Sequence, residues 1–130
     1  MRTLQELKEK LEGYGSAEFI YYQDTGYLAW HFSTGANIET LFIEAKPGCG
    51  SWLYRKMVEK ILETGKIPYH SVFCFTLESN ERAIGFYRKM GWTQVFLGQS
   101  IYRDDTTVLC WTTWQDLLTY MSKGANDESD

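Results

Sequence analysis

Asn37-IETLFIEAKPGCGSWLYRKMVEKILET-Gly65 holds three patterns in direct succession: a buried strand, a glycine-broken loop and a helix. Ile38, Leu41, Phe42 and Ile43 form a short apolar run with β-branched and aromatic content, bounded by Gly35 and by Pro47-Gly48, which predicts a strand of roughly 6–8 residues. From Ser51 the period changes. Leu53, Tyr54, Met57, Val58, Ile61 and Leu62 fall on one helical face and Arg55, Lys56, Glu59, Lys60 and Glu63 on the other, with Gly65 as the stop. Between them, Gly48 and Gly50 let the backbone of Lys46-Pro47-Gly48-Cys49-Gly50-Ser51 take positive φ and carry no side chain to obstruct a ligand. The loop runs into a helix whose first four N–H groups lack internal partners and whose dipole is positive at that end, a site suited to phosphate. An ordinary strand-to-helix turn reads the same way, so the loop needs support from the rest of the chain.

On the N-terminal side, Thr3 and Glu6 form a capping box for a short helix carrying Leu4, Leu7 and Leu11. Phe19 to Gln23 and Tyr27 to Phe32 flank the turn signal Asp24-Thr25-Gly26, and a second turn at Ser33-Thr34-Gly35 leads into the central strand, predicting three antiparallel strands in a meander. On the C-terminal side, Ser71 to Leu77 reads as a strand that a right-handed helical crossover sets parallel to the central one. Asn80 then caps a helix with Ala83, Ile84, Tyr87 and Met90 on one face and Gly91 at its end. Val95 to Leu97, extended through Tyr102, and Val108 to Trp114 read as closing strands around Arg103-Asp104-Asp105, and Thr113 with Asp116 caps a last helix through Met121. Residues 1–121 are expected to form a single domain and 122–130 an acidic disordered tail.

At 130 residues there is room for one core. The net charge of −4 disfavours a nucleic-acid backbone as the main partner and favours a cationic one. Cys49, Cys74 and Cys110 are odd in number and show no metal-type spacing, as expected of reduced thiols in the cytoplasm. No apolar run reaches the ~18 residues of a membrane span, and Met1-Arg2-Thr3 leads into an amphipathic helix rather than a secretory segment.

The element order resembles that of the GNAT superfamily of acetyl-CoA-dependent N-acetyltransferases, and two motifs carry the likeness. Ile38 to Ile43 followed by Gly48-Cys49-Gly50-Ser51-Trp52-Leu53 resembles the family's central strand and its Q/R-x-x-G-x-G/A pyrophosphate loop. Asn80-Glu81-Arg82-Ala83-Ile84-Gly85-Phe86-Tyr87-Arg88-Lys89-Met90-Gly91-Trp92 resembles, more specifically, the later motif in which an Asn opens a helix, an Ala and a Tyr lie within it, and Gly-Phe closes it. The resemblance implies an α/β (α+β) fold with a mixed, mostly antiparallel central sheet, a splayed parallel pair and flanking helices, shortened at its N-terminus. It also implies transfer of an acetyl group from acetyl-CoA, without a metal, to a primary amine of a small molecule or protein.

By the same resemblance, the backbone of Gly48, Cys49, Gly50, Ser51 and Trp52 holds the pyrophosphate, groups near Ile43 pair with the pantetheine arm, and Asn80 lies near the thiol end. Tyr87 matches the tyrosine that protonates the leaving thiolate, and Glu39 a strand carboxylate that acts as base; Glu44 or water is an alternative base. Without the motif, Tyr87 reads as core and Glu39 as a solvated side chain. Cys49-Gly50-Ser51 also resembles part of a cysteine-protease signature, but the chain is short for that fold and His31 and His70 lack motif context, so both read as structural or surface residues. Two departures stand out. Ala45 occupies the family's Gln/Arg position, with Lys46 the nearest charge, and the N-terminal region is expected to hold one helix where the family has a strand and two helices. The second departure makes completion of the acceptor groove by a second copy an expectation, and the two together make a catalytically silent acetyl-CoA-binding or protein-interaction module the alternative to an enzyme.

Overall fold

The computed structural model describes residues 1–99 and 104–123; Tyr102, Arg103 and residues 124–130, on which some of the expectations above fall, lie outside that range. The element order is α1 (Leu4–Leu11), β1 (Glu18–Tyr22), β2 (Gly26–Phe32), a 3₁₀ turn (Thr34–Ala36), β3 (Ile38–Ala45), α2 (Gly50–Thr64), β4 (Ser71–Leu77), α3 (Glu81–Lys89), β5 (Thr93–Gln99), β6 (Thr106–Thr113) and α4 (Trp114–Lys123). Among the described residues the strands form a mixed sheet in the order β1-β2-β3-β4-β6-β5, with β3 and β4 parallel and every other pair antiparallel.

Local signals account for the ends of the elements. The Thr3 hydroxyl accepts from the Glu6 amide while the Glu6 carboxylate accepts from the Thr3 amide, closing the capping box. Gly65 ends α2 at φ 75°, a conformation open to glycine at little cost. The Thr113 hydroxyl accepts from the Asp116 amide, but α4 runs to Lys123, past the expected end at Met121. Leu53, Tyr54, Met57, Val58 and Ile61 are buried on one face of α2, each large aliphatic contributing about 1.5–3 kcal/mol relative to exposure. Leu62, expected on that face, is 53% exposed, because it lies at the edge of the apolar stripe, turned about 100° from the buried Ile61.

Two hydrophobic layers sandwich the sheet. One contains α2, α3 and α4 side chains with Leu28, Trp30, Ile38, Val72, Val108 and Cys110; the other sets Leu7 and Leu11 of α1 over Tyr27 and Ala29. The edge strand β5 leaves Val95, Phe96 and Leu97 exposed.

Two irregularities shape the middle of the sheet. Ala29 pairs with Phe42 but Trp30 pairs with Thr40, leaving Leu41 as a bulge residue in β3. The parallel pairing of β3 with β4 is confined to Ile38↔Val72 and Glu39↔Phe73, after which the strands separate. This is the splayed pair that the resemblance implied.

A polar knot ties the N-terminal residues to the far end of β3. The Tyr27 hydroxyl donates to the Glu44 carboxylate and accepts from Arg2 at 2.8 Å, and the Arg2 carbonyl accepts from Tyr21 at 2.8 Å. The Tyr27 bond holds the Glu44 carboxyl below its ordinary 4.5, and burial together with Glu44 pushes the Tyr27 phenol up to about 12. A carboxylate with a depressed pKa stabilises the fold fully above its unfolded value and loses that contribution as pH falls through its folded value. Resistance to urea should therefore fall more steeply in the parent chain than in Glu44→Gln as pH drops below the ordinary carboxylate value. Equal slopes would show that the knot adds no pH-dependent stability.

Candidate active site: a cleft between the splayed strand and the third helix

Where β3 leaves β4, a cleft of about 540 Å³ opens. One wall is Ile43 to Gly48 with Gly50; the other is the face of α3 carrying Arg82, Phe86 and Lys89, with Asn80 and Tyr87 nearby. Gly50 is the first residue of α2, so the positive end of that helix meets the cleft. Gly48 takes φ 84° to turn the chain into it.

Gly50 has a second role that the sequence did not disclose. A Cβ built there would stand 2.5 Å from the Phe86 ring, so the missing side chain lets α3 close onto the start of α2. Gly50→Val would consequently displace α3 as well as obstruct a ligand.

The Ala45 carbonyl faces the cleft, since it accepts from the Arg82 guanidinium at 3.1 Å across the gap. Strand alternation turns the backbone of Ile43 the same way. These are edge groups that an extended, amide-bearing ligand could pair with as an added strand would. Among the other loop residues named in advance, the Cys49 amide is occupied by the Lys46 carbonyl at 3.0 Å. Trp52 turns away from the cleft, packing edge-on against Tyr22 with Lys56 over its ring. Ser51 is buried. The Asn80 side chain accepts from the Ala83 amide at 3.2 Å, holding the start of α3 at the cleft rim.

Tyr87 lines the cleft, but its hydroxyl points into a buried chain of polar groups. It meets the Tyr54 hydroxyl at 2.7 Å, Tyr54 meets Thr40 at 3.1 Å, and Thr40 donates to the Phe73 carbonyl at 3.5 Å. Burial raises both phenols well above their ordinary value, so each stays protonated near neutrality. The chain ends at Phe73, the last β4 residue in register with β3. Tyr54 carried only a core signal in the sequence, because a helix face does not show which buried hydroxyls will meet.

Glu39 lies on the opposite sheet face from Thr40 and outside the cleft lining. It pairs with His31 at 2.8 Å, the two side chains 23% and 21% exposed, and the Tyr14 ring packs edge-on against the imidazole. His31, read from sequence as structural or surface, is thus the partner of the candidate base. The signal was present: residues equally distant from the Ser33–Asn37 turn face one another, which sets His31 opposite Glu39. Glu44, the other candidate base, is held by Tyr27 and Arg2.

The element order, the parallel pair that splays, the glycine turn feeding a helix at the splay and the capped helix along the far wall give this chain a fold like that of solved GNAT N-acetyltransferases. Solved structures bear this out. An N-acetyltransferase from Campylobacter jejuni, PseH, in complex with acetyl coenzyme A, is 18% identical with a TM-score of 0.58, over 85% of this chain and 78% of that one. The spermidine N-acetyltransferase of Vibrio cholerae, in complex with CoA and spermine, is 13% identical with a TM-score of 0.64, over 91% and 79%. A protein from Desulfovibrio desulfuricans described as a GNAT-family acetyltransferase is 19% identical with a TM-score of 0.63, over 84% and 77%. No family model and no curated protein matches the sequence. Among the described residues there is no group of His, Cys, Asp and Glu side chains able to hold a metal ion, and no helix is long and apolar enough to cross a membrane.

Proposed function

We propose that this protein is an N-acetyltransferase that moves the acetyl group of acetyl-CoA to a primary amine. The observation that carries the reading is the splay of β3 from β4 after Glu39, with a glycine turn, a helix N-terminus and the free edge of β3 all on one cleft. A phosphate-bearing, amide-containing arm fits each of these features. Acetyl-CoA supplies the activated acyl group.

The chain's own residues divide the remaining work. Gly48, Cys49, Gly50, Ser51 and Trp52 form the diphosphate turn, in which Cys49 shapes the backbone through its bond to the Lys46 carbonyl and the start of α2 faces the ligand; Ile43 aligns the arm by its backbone, and Asn80 fixes the rim beside it. An amine with a pKa near 10 must lose a proton before it attacks, and Glu39, oriented by His31 at the apex of the splay, takes that proton directly or through water. Tyr87, kept protonated by burial and held by Tyr54, donates to the departing thiolate and regains its proton from solvent once the thiol product has left. Because Glu39 and Thr40 fall on opposite faces of β3, acceptor and acyl donor approach the apex from opposite sides.

The net charge of −4 makes cationic amines the first acceptors to test, and the neighbour crystallised with spermine adds polyamines to that group. One observation favours a binding module instead: the Tyr87 hydroxyl is fully enclosed and engaged by Tyr54. A melting curve with acetyl-CoA at about 100 times its Kd should show about 2.7 kcal/mol of stabilisation. Thiol release would then be followed with polyamines, amino-sugars and lysine peptides. No shift with acetyl-CoA would remove the cofactor assignment; a shift without thiol release from any amine would favour the binding module.

A further inference from the structure

We infer that Arg82, assisted by Lys89, recognises phosphate in this cleft alongside the glycine turn, supplying from α3 the positive charge that Ala45 does not supply on the loop wall. The inference rests on the acetyl-CoA reading and concerns how this particular chain achieves it.

Cation placement gives the first argument. On the loop wall, Ala45 is uncharged and Lys46 is the one basic residue lining the cleft. The opposite wall carries two. Arg82 and Lys89 are seven residues apart on α3, hence on one face and about 10 Å apart along the axis. Phe86 lies between them and abuts Gly50, so the two cations bracket the positive end of α2. Among the described residues, neither has a carboxylate partner. Glu44, the acidic residue in the lining, is already engaged by Tyr27 and Arg2.

The second argument is what Arg82 holds in its present position. Its guanidinium donates to the Ala45 carbonyl at 3.1 Å, bridging the cleft's two walls. An arm entering beside β3 passes that bridge and competes with Arg82 for the carbonyl. Exchanging a neutral carbonyl for a phosphate gives Arg82 a partner of opposite charge that its planar fork can grip with two N–H groups. Arg82 is therefore a latch: it straps the empty cleft and is drawn off by a ligand that brings both an amide arm and phosphate.

Calorimetric titration of the parent, Arg82→Gln and Lys89→Gln with CoA and with pantetheine, which lacks all the phosphates, tests this. Arg82 is exposed, so the variants should fold, and a melting curve checks that they do. For Arg82→Gln, CoA affinity should fall about 10-fold to 100-fold. Pantetheine affinity should hold or rise, because the Ala45 carbonyl is released. Lys89→Gln should weaken CoA alone, and in both variants the loss of CoA affinity with added salt should be shallower. If the parent does not bind CoA, the acetyl-CoA reading itself fails. If the parent binds and Arg82→Gln is unchanged, or weakens both ligands equally, the reading stands and the latch is overturned.

Discussion

Replacing Tyr87 with phenylalanine should lower kcat and kcat/KM together by about 10²-fold or more while leaving acetyl-CoA affinity little changed. The substitution deletes one oxygen and keeps the ring that packs against Trp92 and Phe86. Tyr54 loses one hydroxyl partner but keeps Thr40, so the stability cost is that of one hydrogen bond, about 0.5–1.5 kcal/mol. A loss that appears in turnover and not in binding belongs to a group that acts in the transition state. A folded, cofactor-binding Tyr87→Phe protein that turns over at the parent rate would remove the phenol from the mechanism and leave water, or unassisted departure of the thiolate.

The second large effect is expected at Glu39. Glu39→Gln preserves the shape of the side chain and an oxygen able to accept from His31, yet removes the carboxylate that would take the amine's proton. The rate should fall by about 10²–10⁴-fold, with acetyl-CoA binding retained because Glu39 lies outside the cleft lining. Glu44→Gln serves as the contrasting variant: its carboxylate is stabilised in the charged form by Tyr27, which makes it the poorer proton acceptor. Unaltered turnover in Glu39→Gln would exclude Glu39, and a loss confined to Glu44→Gln would move the base to the other end of β3.

The order and kind of the elements were legible because each is written in local chemistry. The capping box at Thr3, the change of hydrophobic period at Ser51, Gly65 after α2 and the Asn80 cap act within a few residues of where they stand. The parallel placement of β4 followed as well, because a helix crossing between two strands of a sheet leaves that arrangement. The candidate residues on the motifs, Gly48, Gly50, Asn80 and Tyr87, reached the cleft for the same reason: motif spacing fixes a residue's place on its own element.

Only the tertiary structure decided what those residues meet. Periodicity tells which face of α2 and α3 is apolar, but the angle and depth at which the helices settle on the sheet bring Tyr87, Tyr54 and Thr40 into one buried chain. The pairing of His31 with Glu39 depends on strand register, and the use of Gly50 as a seat for Phe86 on the approach of two helices remote in sequence. Arg82 shows the division most sharply. Its sequence places it in the first turn of a capped helix, whereas its reach across the cleft to Ala45 arises from the splay of β3, a non-local outcome of a bulge and an interrupted strand pairing.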